Sequence, residues 1–179
     1  MPRLFVAIDL PDETKTRLTA LQTRIDGARW VKRHQMHLTL RFIGEVEDAQ
    51  AEKIKTALAS VAKRKVELLL QGVGRFPPGN RKPARVLWVG IATNPPLVQL
   101  QRDVEHALQS VGVPPENRPF KAHITLARLK SPDAKAVEQF LETQRDFATT
   151  PIPIHEMILF SSTLSAQGAQ YRHEAVYPL

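Results

Sequence analysis

Apolar and polar positions alternate with a period of two through several short runs of this chain. Between those runs the apolar positions fall three and four apart, and these two spacings distinguish strands from helices. The run Leu4 to Leu10 predicts a first strand, and Pro11-Asp12-Glu13 opens a helix whose Leu18, Leu21 and Ile25 share one face. Met36 to Ile43 predicts a second strand, and Ile54, Leu58 and Val61 mark a second helix. Val66 to Gln71 predicts a third strand, running toward the loop Gly72-Val73-Gly74-Arg75-Phe76-Pro77-Pro78-Gly79.

After that loop the order recurs. Arg85 to Ile91 predicts a strand, Leu97, Leu100, Val104, Leu108 and Val111 form an apolar helical stripe, and His123 to Leu129 predicts a further strand. Ser131 is read as the capping residue before Pro132-Asp133, at the start of a helix through Val137, Phe140 and Leu141. Two strands, about Ile154 to Ser161 and Gln170 to Val176, end the pattern. The recurrence predicts one two-lobed domain over residues 1–179, with approximate repeats 1–76 and 85–179 joined through Arg75 to Ala84. Arg75, Arg81, Lys82 and Arg85 make that connection basic enough to touch a phosphate backbone, with a solvated surface loop as the alternative.

Composition narrows the chemistry. The 179 residues contain no cysteine, which excludes disulfides, thiol nucleophiles and cysteine zinc sites. The net charge of +7 favours polyanionic partners. No apolar run approaches the roughly 18 residues of a membrane span, and the amino terminus lacks the features of a signal peptide, so a cytoplasmic protein is expected.

The two middle strands carry the informative match. His37-Leu38-Thr39-Leu40 and His123-Ile124-Thr125-Leu126 both read histidine, apolar, threonine, apolar. Alternation puts each imidazole beside a hydroxyl on one strand face and the apolar residues on the other. With six histidines and 12 threonines, composition alone yields roughly 0.4 such pairs. Two occur, at matching places in the repeat.

A pair of imidazoles facing one cleft can divide the work of phosphodiester cleavage, one accepting a proton and the other donating it. The threonine hydroxyls can donate to phosphate oxygens as charge grows on them. In an ideal strand Arg41 shares the face of His37 and Thr39 and is a third donor. Arg128 faces away unless its strand ends or bulges before it. His34, His106, His155 and His173 are read as structural. Trp30, Phe42, Phe76 and Trp88 are read as core residues, with base stacking as the alternative.

Several segments carry a family resemblance: Phe5-Val6-Ala7-Ile8, Trp30-Val31, His37 through Glu45, Arg85 through Gly90, and His123 through Arg128. Ser162, Leu164, Gly168, Tyr171 and the final Tyr177-Pro178-Leu179 extend it to the end of the chain. Together they closely resemble the RNA 2′,3′-cyclic phosphodiesterases, also called 2′-5′ RNA ligases, of the two-histidine phosphoesterase superfamily. One departure is Ala122, where many members place proline before the second motif histidine.

The resemblance implies an α+β, bilobal, duplicated fold with two antiparallel sheets flanking a central cleft and helices outside. It implies hydrolysis of RNA 2′,3′-cyclic phosphate ends to 2′-phosphomonoesters without metal or other cofactor, with 2′-5′ ligation as the reverse direction. By position His37 is the proton donor and His123 the acceptor, while Thr39, Thr125 and Arg128 hold phosphate oxygens. The expected partner is RNA, with tRNA fragments as candidates, and the expected state is a monomer.

Two other readings stay open on the residues alone. A metal hydrolase would need ligand spacings that neither motif shows. A non-catalytic RNA or nucleotide phosphate-binding module would keep affinity without turnover.

Overall fold

In the computed structural model, which describes residues 1–179, the three-and-four spacings become four helices and the seven alternating runs account for seven of ten strands. The short strands Ala28–Trp30 and Ile152–Ile154 are additional, and Leu70–Phe76 is a strand where the pattern predicts a loop from Gly72, because residues 73–76 pair with residues 86–89. The first half comprises β1 (Arg3–Asp9), α1 (Asp12–Thr19), β2 (Ala28–Trp30), a 3-10 turn (Arg33–Gln35), β3 (His37–Glu45), α2 (Asp48–Ala59), β4 (Val66–Leu68) and β5 (Leu70–Phe76). The second comprises β6 (Val86–Ile91), α3 (Pro95–Ser110), β7 (His123–Leu129), α4 (Ala134–Thr143), β8 (Ile152–Ile154), β9 (Glu156–Ser165) and β10 (Gly168–Pro178).

Two helix boundaries differ from the pattern reading. Helix α1 stops at Thr19, and Leu21 and Ile25 reach the core from the segment beyond it. Helix α4 is capped by Asp133, whose carboxylate accepts from the Lys135 amide at 3.1 Å, whereas Ser131 sits at φ 45° in the turn before it. A carboxylate two residues before that amide reaches it, and a side chain held in a left-handed turn does not.

The main sheet is antiparallel, in the order β10-β9-β1-β3-β7-β6-β5, with β2 also pairing with β7. Strands β4 and β8 form a separate two-stranded sheet. The two lobes of the main sheet meet at a single pair, Leu38 with Ile124, the apolar residue between histidine and threonine in each motif. That seam sets the two motifs side by side.

The spatial lobes do not follow the repeat boundaries at 76 and 85. Strand β5 ends the first repeat yet pairs with β6, and β9 of the second repeat pairs with β1. Each lobe is therefore built from both repeats. A core of 34 buried residues joins the four helices to one face of the sheet, with Val6, Leu38, Leu87 and Ile124 from the strands and Leu18, Ile54, Leu100 and Phe140 from the helices. The alternate strand residues Phe5, Ala7, Ile158 and Phe160 form a smaller cluster on the opposite face. The motif histidines are on that second face.

Candidate active site

His37, Thr39, His123 and Thr125 open into one cavity of about 330 Å³, together with Arg29, Lys32, Gln35, Arg128, Leu164 and Tyr171 among others. None of its lining residues is acidic. Both motif pairs thus converge, as their matching places in the repeat predict, and the cavity carries only positive or neutral groups for an anion.

Arg128 joins them because β7 bulges. Trp88 pairs with Thr125, but the next residue back, Leu87, pairs with Ala127, so one extra residue enters β7 between threonine and arginine. A bulge reverses the alternation that follows it, and Arg128 turns onto the face of His123 and Thr125.

The same irregularity in β3 removes Arg41. Ala7 pairs with Thr39 and Val6 with Arg41, so the bulge turns Arg41 to the core side of the sheet. There its guanidinium is 7% exposed, donates to Glu105 at 2.6 Å and to the Phe42 carbonyl at 2.6 Å, and also reaches the Pro114 carbonyl. The ideal-strand expectation of a third phosphate donor at Arg41 is corrected accordingly. Phe42 takes the position that corresponds to Arg128, exposed and with the Arg3 guanidinium over its ring, so it is not a core residue.

The two imidazoles sit in different surroundings. His37 stacks on Phe5 at 4.9 Å between ring centroids and meets Tyr171 edge-on at 5.4 Å, over the small aromatic cluster. Burial there disfavours the charged ring and lowers its pKa to about 4; Asp9 and the Gln35 main chain oppose the shift, and Lys15 and Arg128 add to it. His123 lies at the edge of the Phe76 ring, 5.1 Å between centroids, beside Trp88. The Trp88 indole covers Gly74, its partner across the β5–β6 pair, where a Cβ would fall inside the ring.

His123 Nδ1 lies 2.6 Å from the Lys121 carbonyl. A carbonyl can only accept, so Nδ1 carries the hydrogen, and in the neutral ring Nε2 is the free base. The Gln35 main chain, also two residues before its histidine, favours the protonated form of His37.

The depressed pKa of His37 has a thermodynamic sign. Above pH 6.5 the ring is neutral in both folded and unfolded chains; as pH falls toward 4 the unfolded chain binds the proton first, and the fold loses stability. Below about 4 the loss stops growing. Its full size is about 3 kcal/mol. Urea unfolding of wild type and His37→Gln at pH 7 and near pH 4 should show wild type losing more by about that amount.

Sequence reasoning missed Arg29, Lys32, Gln35 and Gln167 in the cavity wall. Lys32 Nζ donates to the Gln167 carbonyl at 2.9 Å and Gln35 Nε2 to the Ala169 carbonyl at 2.8 Å, tying the β9–β10 hairpin to the turn before β3. Those partners are 135 and 134 residues apart, so no local pattern announces them. In the basic connection, Arg75 donates to the carbonyls of Pro77 and Lys82 and so holds its own loop.

An antiparallel sheet in two lobes, with one His-x-Thr pair from each opening into a shared cleft, is the arrangement of a two-histidine phosphoesterase. The model of the LigT-like phosphoesterases matches twice, over residues 8–88 and 89–171, and this chain belongs to that family. It is 30% identical over 172 residues to the RNA 2′,3′-cyclic phosphodiesterase of Methanocaldococcus jannaschii, covering 94% of this chain and 96% of that one. To the protein of the same name from Aeropyrum pernix it is 35% identical, covering 79% and 81%. The crystal structure of E. coli LigT complexed with 3′-AMP superposes with a TM-score of 0.78 at 26% identity, covering 100% and 99% of the two chains. No helix is long and apolar enough to cross a membrane.

Proposed function

We propose that this chain hydrolyses RNA 2′,3′-cyclic phosphate ends to 2′-phosphomonoesters by acid–base chemistry between His123 and His37, with no metal or other cofactor. The observation that carries the reading is the convergence of both His-x-Thr pairs and Arg128 in one cavity without a carboxylate. Relatives that cover nearly the whole chain and bear the name RNA 2′,3′-cyclic phosphodiesterase support the substrate.

In this scheme His123 Nε2 takes a proton from water as the water oxygen bonds to phosphorus. The bond from phosphorus to O3′ breaks on the opposite side, and His37 gives its proton to that oxygen. Thr39, Thr125 and Arg128 hold the non-bridging oxygens, where charge accumulates. His37 is neutral at pH 7 in the free protein because burial outweighs its favourable partners. The cyclic phosphate anion supplies the opposing charge on binding and restores the protonated form that a donor needs.

The protein acts as a monomer on RNA fragments, tRNA halves among them, and 2′-5′ ligation is the same displacement with an RNA 5′-hydroxyl attacking phosphorus in place of water, O3′ again leaving; cleavage of that linkage back to the cyclic phosphate is its reverse. Phosphorus NMR of the product from a nucleoside 2′,3′-cyclic monophosphate should show the 2′-phosphate alone. A 3′-phosphate product would mean that O2′ leaves and that the scheme has the ring oxygens reversed.

A further inference from the structure

Beyond Arg128, strand β7 ends at Leu129 and Lys130 follows in a bend, and these two residues line a second concavity with Lys82, Arg85, Pro77, Pro83, Ala84 and Ser131. It too has no acidic lining residue. Lys82, Arg85 and Lys130 are all exposed. None of these three, nor Arg29 or Arg128, forms an ion pair, although eleven ion pairs occupy cations elsewhere on the molecule. A positive surface without counterions of its own is suited to a polyanion.

The order of these cations is continuous. Arg29 pairs across strands with Arg128, and Val86 pairs with Arg128 on its other side, placing Arg85 next to the Arg128–Lys130 segment. The Leu129 amide donates to the Arg85 carbonyl at 2.8 Å, and the Lys130 amide to the Gly27 carbonyl at 2.9 Å, so main-chain bonds hold this end of the sheet together. Arg128 is the penultimate residue of β7, and Lys130 follows the end of the strand two residues later, in a bend. Arg128, in the wall of the first cavity, is thus followed directly along the chain by Leu129 and Lys130, in the wall of a second cationic hollow.

We infer that the hollow formed by Lys82, Arg85 and Lys130 is a subsite for the phosphodiester backbone upstream of the cyclic end, so that the preferred substrate is an RNA chain and not a mononucleotide. This inference rests on the reading of the cleft as a cyclic phosphate site. Backbone contacts at such a subsite position the chain and carry no base preference. They also release counterions, which makes their contribution fall with salt.

The test compares kcat/KM for a nucleoside 2′,3′-cyclic monophosphate with that for a short oligoribonucleotide ending in the same group, across a salt series. The oligonucleotide should be favoured by about tenfold or more at low salt and should show the steeper salt dependence. In Lys82→Glu/Lys130→Glu, substitutions at exposed positions, that advantage and the extra salt slope should disappear while the mononucleotide is turned over as before. Equal kcat/KM and equal salt slopes for the two substrates in wild type would overturn the subsite and leave the cleft chemistry standing. An oligonucleotide advantage that survives the double substitution would also overturn it. Turnover of neither substrate would overturn the reading of the cleft and the subsite with it.

Discussion

Replacement of His37 or His123 by alanine is expected to lower kcat for cyclic phosphate hydrolysis by about a hundredfold or more, the usual worth of a positioned proton donor or acceptor. Each motif projects from a separate strand, and the two strands meet only at Leu38 and Ile124, between the histidine and threonine of each. Loss of one imidazole therefore leaves the other in place but without its counterpart in proton transfer. Groups that act as a unit do not add: the double replacement should be little slower than the worse single one. Affinity for a 2′-phosphate product, which the proposed scheme assigns to Thr39, Thr125 and Arg128, should change much less. Retention of near-normal kcat in either single variant, with the fold intact by circular dichroism, would refute the acid–base assignment.

Arg41→Ala is expected to act on stability and to spare the chemistry. The guanidinium and the Glu105 carboxylate are 7% and 17% exposed, and Glu105 holds a further hydrogen bond from the Glu116 amide at 3.0 Å. Burial alone would raise the Glu105 pKa, but hydrogen bonds from Arg41, the Glu116 amide and Gln109 outweigh it, and the carboxylate is held below its usual range. Removal of the arginine strands that charge and also takes a donor from the carbonyls of Phe42 and Pro114. Breaking a buried pair of this kind costs about 3–5 kcal/mol, which for a chain of this length is a fall in Tm on the order of 10 °C. Denaturant unfolding measures the loss, and kinetics below the new transition measure the activity. KM for a cyclic nucleotide should stay within about twofold of wild type, whereas Arg128→Ala should raise it, because a hydrogen bond from a guanidinium to a charged phosphate contributes about 1.5–3 kcal/mol. A large KM effect at Arg41 with no loss of stability would return that residue to the phosphate site.

The contrast between these two arginines shows where pattern reading of a chain stops. Alternation suffices to place His37 with Thr39 and His123 with Thr125, because only two residues of regular strand separate them. A bulge follows each threonine, at Leu40–Arg41 and at Leu126–Ala127, and adds one residue without any composition signal. Ideal alternation therefore assigns Arg41 to the cleft and Arg128 to the opposite face, each the reverse of its place in the fold. The four helices and seven of the ten strands were legible from periodicity, since apolar positions on strands and helices face one core. Strands β2 and β8 are three residues long, too short to show a period, and the glycines of β5 read as a loop. The exchange of β5 and β9 between lobes was not, because partner choice between strands of similar alternation depends on tertiary packing. The cavity wall from Arg29 to Gln35 was also hidden, since it forms only when the distant β9–β10 hairpin docks on it.

The measurement that bears most directly on two-histidine hydrolysis is turnover of an RNA with a 2′,3′-cyclic phosphate end after dialysis against chelator and in its continued excess. With His123 as base and His37 as acid, kcat and KM should equal those of the untreated protein, and added divalent cations should bring no gain. Activity abolished by the chelator and restored by a stoichiometric divalent metal would contradict the mechanism, whatever the fate of the histidine variants.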